Sequence, residues 1–232
     1  MNKIAIMAPT FLPWLGYFDM INKSDVFVYL DNVQFNKRSW QQRNRIPVNE
    51  QYFWLTIPVK SKGKYNQLIN QVEIDYSKDP FENIVKILKH NYSRCKYYSD
   101  IIEILEKIFK KKILNLSELN ILLIQEICKF LKIEGKKFIK SSNLNISSKK
   151  GQLLFDITEK LNGNIYISAD GSGIFFNNQN PFKDTSIALK YHNYDHPNYK
   201  QKSKKFIEYC SIIDLLFNEG INSRKHFKNY EI

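Results

Sequence analysis

The spacing of apolar and polar residues predicts strands near both ends of the chain and helices between them. Apolar runs of strand length occupy 3–7 and 25–30, and a proline-containing loop and one or two helical turns separate them. That order is typical of a parallel βαβ unit, so the two strands are expected to be neighbours in one sheet. Further strands are predicted over 51–59, 136–142, 164–168 and 186–194.

From Pro80 onward the apolar spacing becomes helical. An apolar stripe from Phe81 to Tyr92 leaves His90 on the opposite face, which is either solvent or part of a site. The other predicted helices are 100–113, 117–132, 151–163 and 211–220, with Ser117 and Ser211 as N-caps, Asp214 in capping-box register and Gly163 as a C-cap.

These elements predict an α/β fold, with a mostly parallel sheet flanked by helices and a helical insertion. The layout is Rossmann-like or nucleotidyltransferase-like. We expect a single domain over 1–232, within which 80–132 is a candidate helical subdomain.

Composition narrows the class of protein. Hydrophobic residues make up 43% of 232 positions, enough for a packed core, and no apolar run approaches the roughly 20 residues that span a bilayer. We therefore expect no transmembrane segment. Cys95, Cys128 and Cys210 are odd in number and widely spaced, which favours reduced thiols in a cytoplasmic protein and gives no metal-site spacing.

The net charge of +12 favours anionic partners, although many of the lysines are typical of plain solvated surface. The chain has no nucleic-acid-binding motif, so a small phosphorylated ligand is favoured over nucleic acid. It also lacks the common glycine-rich phosphate loops and hydrolase motifs. Function must therefore rest on less specific groups of residues.

The first such group is "DNVQFNKRSWQQRNRI", residues 31–46, directly after a buried strand. We interpret it as a basic loop whose cations grip a diphosphate or a pantetheine phosphate; the alternative is a solvated surface loop. Asp31 ends the strand and is either a general base or metal ligand or a cap for the next turn. The other candidate residues here are Gln34, Lys37, Arg38, Arg43, Asn44 and Arg45.

The second group is "SADGSG", residues 168–173, where a strand runs into small residues. The backbone N–H groups of Gly171, Ser172 and Gly173 could cradle a phosphate or an oxyanion, with Asp170 as the acid; a common glycine turn is the alternative. Trp14 and Gly16 lie on the loop after the first strand. Because all three segments follow strand ends, we expect 9–16, 31–38 and 168–173 to line one pocket.

Histidines supply the candidate general base. His192 and His196 lie at the end of the last predicted strand, and an imidazole is the usual base near neutral pH. The alternative for each is a structural role.

Residues 8–46 resemble the opening of the WbqC-like family, and "WLTIPV", "SSNL", "YISADGSG" and "SIIDLLFNEG" match its later landmarks in order. The chain differs from the usual family pattern at Ala8–Pro9 and at Tyr199–Gln201. On this basis Ser141, within "SSNL", and Gln201 join His90 as candidate binding residues. The N-terminal layout is also similar to that of HxGH nucleotidyltransferases, but "PWLGY" has no histidine.

The resemblance implies a transferase encoded among genes for bacterial surface polysaccharide, including O-antigen. It would move a glycyl or other acyl group onto the amine of a nucleotide-linked amino sugar. The donor would be a coenzyme A or acyl-carrier thioester, so an acyl carrier protein is a candidate partner. The alternatives are a non-catalytic protein that binds a nucleotide-sugar or polyanion, and a nucleotidyltransferase-like enzyme.

Overall fold

A computed structural model describes residues 1–169 and 180–227. Its strands are β1 (Lys3–Met7), β2 (Val26–Tyr29), β3 (Arg43–Val48), β4 (Gln51–Thr56), β5 (Lys137–Lys140), β6 (Ile165–Ser168) and β7 (Ala188–Tyr191). Five of them form one sheet in the order β5-β2-β1-β6-β7, and every neighbouring pair is parallel. The prediction of an α/β fold with adjacent strands β1 and β2 is therefore confirmed.

The order of the strands makes β1 the centre of the sheet. The chain adds β2 and β5 on one side of β1 and then β6 and β7 on the other side. The strand order thus reverses beside β1, and in open α/β sheets ligands bind at such a point, beyond the carboxyl ends of the strands.

In the part of the chain that the structure describes, six α-helices flank the sheet: α1 (Leu15–Lys23), α2 (Pro80–Tyr92), α3 (Tyr98–Phe109), α4 (Leu116–Phe130), α5 (Lys150–Lys160) and α6 (Ile212–Glu219). Neighbouring side chains of β1 point to opposite faces of the sheet, and apolar residues of β1 cover both faces. Ala5 belongs to the larger core cluster, which contains residues of α1 to α4 and α6. Ile4 and Ile6 belong to a second cluster that Leu153 and Ile157 of α5 complete.

Several helix ends differ from the predictions. Asn115, not Ser117, caps α4, since its Oδ1 accepts the Glu118 N–H at 3.1 Å, while Ser117 is buried inside the helix. Asn162 has the left-handed backbone conformation that follows α5, with a φ of 53°, and Gly163, the predicted C-cap, is the next residue. Ser211 does cap α6.

The basic segment is not a loop throughout, which corrects the interpretation of 31–46. β3 and β4 form an antiparallel hairpin in which Arg45 pairs with Trp54. Asn49 and Glu50 both have positive φ, as a two-residue hairpin turn requires. The prediction missed the hairpin because β3 carries polar residues on both faces, so its alternation is not one of apolar and polar positions.

The three cysteines are free thiols. Within residues 1–169 and 180–227, no helix is both long and apolar enough to span a bilayer; the longest, α4, has 15 residues.

Candidate functional site

A cavity of about 310 Å³ opens beyond the carboxyl end of β1, where the strand order reverses. Its lining comes from the end of β1, the loop after it, α1, β3 and the segment before α6: Met7, Thr10, Pro13, Trp14, Tyr17, Trp40, Asn44, Arg45 and Tyr209. Two indoles, two phenols and one guanidinium therefore surround a space that suits a ring-containing, negatively charged ligand.

Trp14 forms one wall of this cavity, and Gly16 allows it to do so. Trp14 precedes the first turn of α1 and its ring lies over Gly16, where an added Cβ would come within 2.2 Å of the indole. The indole packs in a T-shaped arrangement with the rings of Tyr194 and Tyr209, at 5.3 Å and 5.4 Å between centroids. Gly16 therefore acts by leaving space for the ring.

Two buried amides hold the loop between β1 and α1. Asn44 Nδ2 donates to the carbonyl oxygens of Phe11 at 3.1 Å and Leu12 at 2.8 Å. Asn120 Nδ2 donates to Pro9 O at 3.1 Å and Gln41 O at 2.8 Å. Asn44 was predicted to bind ligand; it lines the cavity, and its amide hydrogens position the cavity wall.

The two arginines of β3 lie on aromatic rings. The Arg45 guanidinium carbon is 3.8 Å from the centroid of Tyr52, and its Nε donates to Tyr209 O at 3.3 Å. The Arg43 guanidinium carbon is 4.1 Å from the centroid of Trp54. No carboxylate of the described residues lies within 4.0 Å of either guanidinium, so neither charge is neutralised by an ion pair there.

The first part of the basic segment lies apart from the cavity lining. Arg38 is exposed, Lys37 Nζ lies 5.6 Å from the ring centroid of Tyr65, and Gln34 Nε2 donates to the carbonyl oxygen of Tyr65 at 3.2 Å. Of the segment 31–46, Trp40, Asn44 and Arg45 line the cavity, whereas 31–38 do not.

Asp31 is buried, and its carboxylate accepts hydrogen bonds from the turn that follows β5. Oδ1 accepts the Ser142 N–H at 2.9 Å and the Ser141 hydroxyl at 3.1 Å, and Oδ2 accepts the Ser142 hydroxyl at 2.7 Å. Through these bonds Asp31, at the end of the neighbouring strand, caps the turn. Asp31 and Ser141 therefore each have a structural role.

His192 forms a buried pair with an aspartate that the sequence analysis missed. Its Nε2 lies 2.7 Å from Asp19 Oδ2, which also lies 2.8 Å from Lys23 Nζ. A carboxylate on the buried face of α1, four residues before a lysine, was the available signal. His192 stacks on Tyr194 at 5.4 Å between centroids, and Tyr194 in turn touches Trp14.

His196 lies beside the cavity. Its ring is 6.2 Å from Trp14, nearly parallel at 16°, and 5.0 Å from Tyr209, measured between centroids. Nδ1 is 3.0 Å from the Pro197 carbonyl oxygen, so Nδ1 carries the hydrogen and Nε2 has the lone pair. Burial lowers the pKa of His196 below its usual 6.5, which keeps the imidazole neutral at pH 7.

A second buried network lies behind His196. Asp214 accepts hydrogen bonds from the hydroxyls of Tyr92 and Tyr199, each at 2.8 Å, and burial raises the pKa of its carboxyl to about 6. It does not form the predicted capping box. Gln201 donates to Ile207 O at 2.9 Å and accepts the Ile207 N–H at 2.8 Å, so its amide closes a loop.

The remaining candidates lie elsewhere. His90 is exposed on α2, and Asp170, Gly171, Ser172 and Gly173 fall outside the described residues. Within the described ranges, no group of three or more His, Cys, Asp or Glu side chains could hold a metal ion.

The fold and site define a parallel α/β protein with an aromatic, arginine-containing cavity at the reversal of strand order. The chain belongs to the WbqC-like protein family, whose model matches residues 8–226, and this confirms the resemblance noted in the sequence. It is 31% identical over 230 residues, 98% of each chain, to "Uncharacterized protein Rv1507c" of Mycobacterium tuberculosis (strain ATCC 25618 / H37Rv). No solved structure matches the chain.

Proposed function

We propose that this protein is a transferase of bacterial surface-polysaccharide biosynthesis, such as that of the O-antigen of lipopolysaccharide. It moves a glycyl or other acyl group onto the amine of a nucleotide-linked amino sugar. The donor is a thioester of coenzyme A or of an acyl carrier protein. The observation that carries the proposal is the neutral imidazole of His196, which lies beside the cavity and packs against two of its lining residues, Trp14 and Tyr209.

The reaction requires a base because an amine that attacks a carbonyl becomes a cation. In the proposed step the amine nitrogen bonds to the thioester carbonyl carbon, and His196 Nε2 takes the proton that the nitrogen loses. The tetrahedral intermediate then collapses, the carbon–sulfur bond breaks, and the thiolate leaves with the electron pair. Return of the proton from His196 gives the free thiol and a neutral amide.

The aromatic walls suit the sugar. Trp14, Trp40 and Tyr209 offer flat apolar faces to a sugar ring, and Arg45 offers donors to the phosphate attached to it. The oxyanion donors predicted at 171–173 remain a prediction.

The test combines nucleotide-linked amino sugars with glycyl- and acetyl-coenzyme A and follows thiol release, with mass spectrometry of the amide product. The wild-type protein is expected to release thiol in step with amide formation. His196→Gln is expected to reduce the rate by about a hundredfold, the usual contribution of a general base. The exposed His90 supplies the matched control, since His90→Gln leaves the cavity unchanged.

Two results would count against the proposal. A nucleotide-sugar that raises the melting temperature without thiol release from any tested donor, carrier-bound thioesters included, indicates a binding protein. Release of pyrophosphate from a nucleoside triphosphate, with no amide product, indicates nucleotidyl transfer.

A further inference from the structure

One face of the β3–β4 hairpin carries aromatic and cationic side chains and extends from the cavity wall onto the surface. Arg43 and Arg45 alternate along β3, and Trp54 stands opposite Arg45 while Tyr52 stands opposite Pro47. Cross-strand partners and alternate residues share a face of a sheet, so these four side chains lie on one surface. Trp40 extends it, with its ring 5.3 Å from that of Trp54.

This surface is open to solvent despite its apolar character. Trp40 is 45% exposed, Tyr52 is 49% exposed and Trp54 is 38% exposed. Clustered exposed aromatic rings with arginines between them mark a binding surface more often than plain solvated surface.

The arginines are arranged to bind an anion. A guanidinium that lies on a ring keeps the hydrogen-bond donors at its edges available, and the ring fixes its orientation. Alternate residues of one strand are roughly 7 Å apart, a spacing that lets two guanidiniums hold the two phosphates of a diphosphate from either side.

We infer that the hairpin face binds a nucleoside diphosphate group, with the base stacked on the aromatic rings and the diphosphate held by Arg43 and Arg45. This inference rests on the proposed function and identifies where the nucleotide part of a substrate lies. Arg45 and Trp40 also line the cavity, so a group attached to the diphosphate would extend toward His196.

Two kinds of ligand contain a nucleoside diphosphate group, a nucleotide-linked sugar and coenzyme A. Charge complementarity favours such a small anion. The face consists of two short strands with two arginines, which is little surface for a polymer.

Isothermal titration calorimetry on the full chain tests the inference, with UDP, ADP, coenzyme A, inorganic pyrophosphate and uridine as probes. UDP or ADP is expected to bind more tightly than pyrophosphate or uridine alone, because pyrophosphate lacks the nucleoside and uridine lacks the diphosphate. Arg43→Lys and Arg45→Lys keep the charge but lose the planar pair of donors, and each should weaken binding by about tenfold. Trp54→Leu removes a ring that stacks on the base and also the ring that supports Arg43, so it should weaken UDP binding by at least a similar factor and pyrophosphate binding by less.

Matched controls are available away from the face. Arg94→Lys changes an exposed arginine at the end of α2, and Tyr65→Leu removes another exposed aromatic ring. Neither should alter binding. Thermal denaturation of each variant verifies that it is folded.

The inference is overturned if no nucleoside diphosphate or coenzyme A binds, or if binding survives all three hairpin substitutions. Tighter binding of a single-stranded oligonucleotide, with a steep dependence on salt, would also overturn it. Preference for UDP over coenzyme A supports the sugar-linked source, and the reverse supports the thioester donor. Nucleoside diphosphate binding without acyl transfer would contradict the proposed reaction and support this site. Acyl transfer without nucleoside diphosphate binding would support the reaction and contradict this site.

Discussion

The ring of His196 lies nearly parallel to the indole of Trp14, with 16° between the planes and 6.2 Å between centroids. This contact places a neutral imidazole against a wall of the cavity at the carboxyl end of β1. It also ties the candidate base to Gly16, since the position of the indole depends on the space that Gly16 leaves.

The pH dependence of transfer should report His196. Burial lowers the pKa of His196, and only the neutral imidazole can accept a proton, so the wild-type rate should rise with pH and reach its plateau at a lower pH than an ordinary imidazole would give. The measurement is the initial rate between pH 5 and 8. In His196→Gln the residual rate should lose this titration; an unchanged profile in the variant would assign the base to another residue.

Gly16→Ala should displace the Trp14 ring, because the new Cβ would come within 2.2 Å of it. We expect a loss of about 1–3 kcal/mol in the free energy of unfolding, the usual range for overpacking, together with weaker ligand binding. Urea denaturation measures the first effect.

A Trp14→Ala background provides the control for this substitution. Without the indole, Gly16→Ala should be neutral or stabilising, because alanine is favoured over glycine within a helix. Equal destabilisation in both backgrounds would show that the two residues do not interact.

Asn44→Leu should destabilise the loop between β1 and α1. Leucine has a similar size but leaves the carbonyl oxygens of Phe11 and Leu12 without the amide donors they have in the wild type. Leu12 O keeps the Ser211 hydroxyl as a donor at 2.7 Å, whereas Phe11 O loses its side-chain donor, so we expect a loss of about 1–3 kcal/mol, the cost of one buried unsatisfied group. Asn66→Leu, at an exposed position, is the matched control and should lie within about 0.5 kcal/mol of wild type.

Asp214 should make stability depend on pH in the direction opposite to that of most carboxylates. Its pKa is about 6 in the folded protein and 3.8 as an ordinary aspartate, so the folded state binds more protons between these values. The contribution is fully present below pH 3.8 and is lost as pH rises through 6. The difference corresponds to about 3 kcal/mol.

Comparison with Asp214→Asn isolates this effect from other titrating groups. The stability of wild type relative to the variant should fall by about that amount between pH 4 and 7, measured by urea denaturation. Asp100→Asn, at an exposed position, should show no such trend. A constant difference between wild type and Asp214→Asn across this range would contradict the expectation.

The sequence by itself determined most of the regular elements of the fold. Apolar runs placed β1 and β2, and their short separation made parallel pairing the expected arrangement. Helical periodicity placed α2, α3 and α4, and Ser211 marked the start of α6. These features depend on side-chain spacing within a short segment, which is visible in the sequence.

Tertiary structure alone decided which candidate residues meet. Asp19 and His192 are 173 positions apart and form a buried pair, while Asp31, the first residue of the basic segment, is hydrogen-bonded to the turn after β5. Arg43 and Arg45 belong to a hairpin face because β4 supplies the rings beneath them. The first two contacts join segments that are distant in the chain, and the hairpin contacts depend on the pairing of two strands; the apolar periodicity of a single segment carries no information about either.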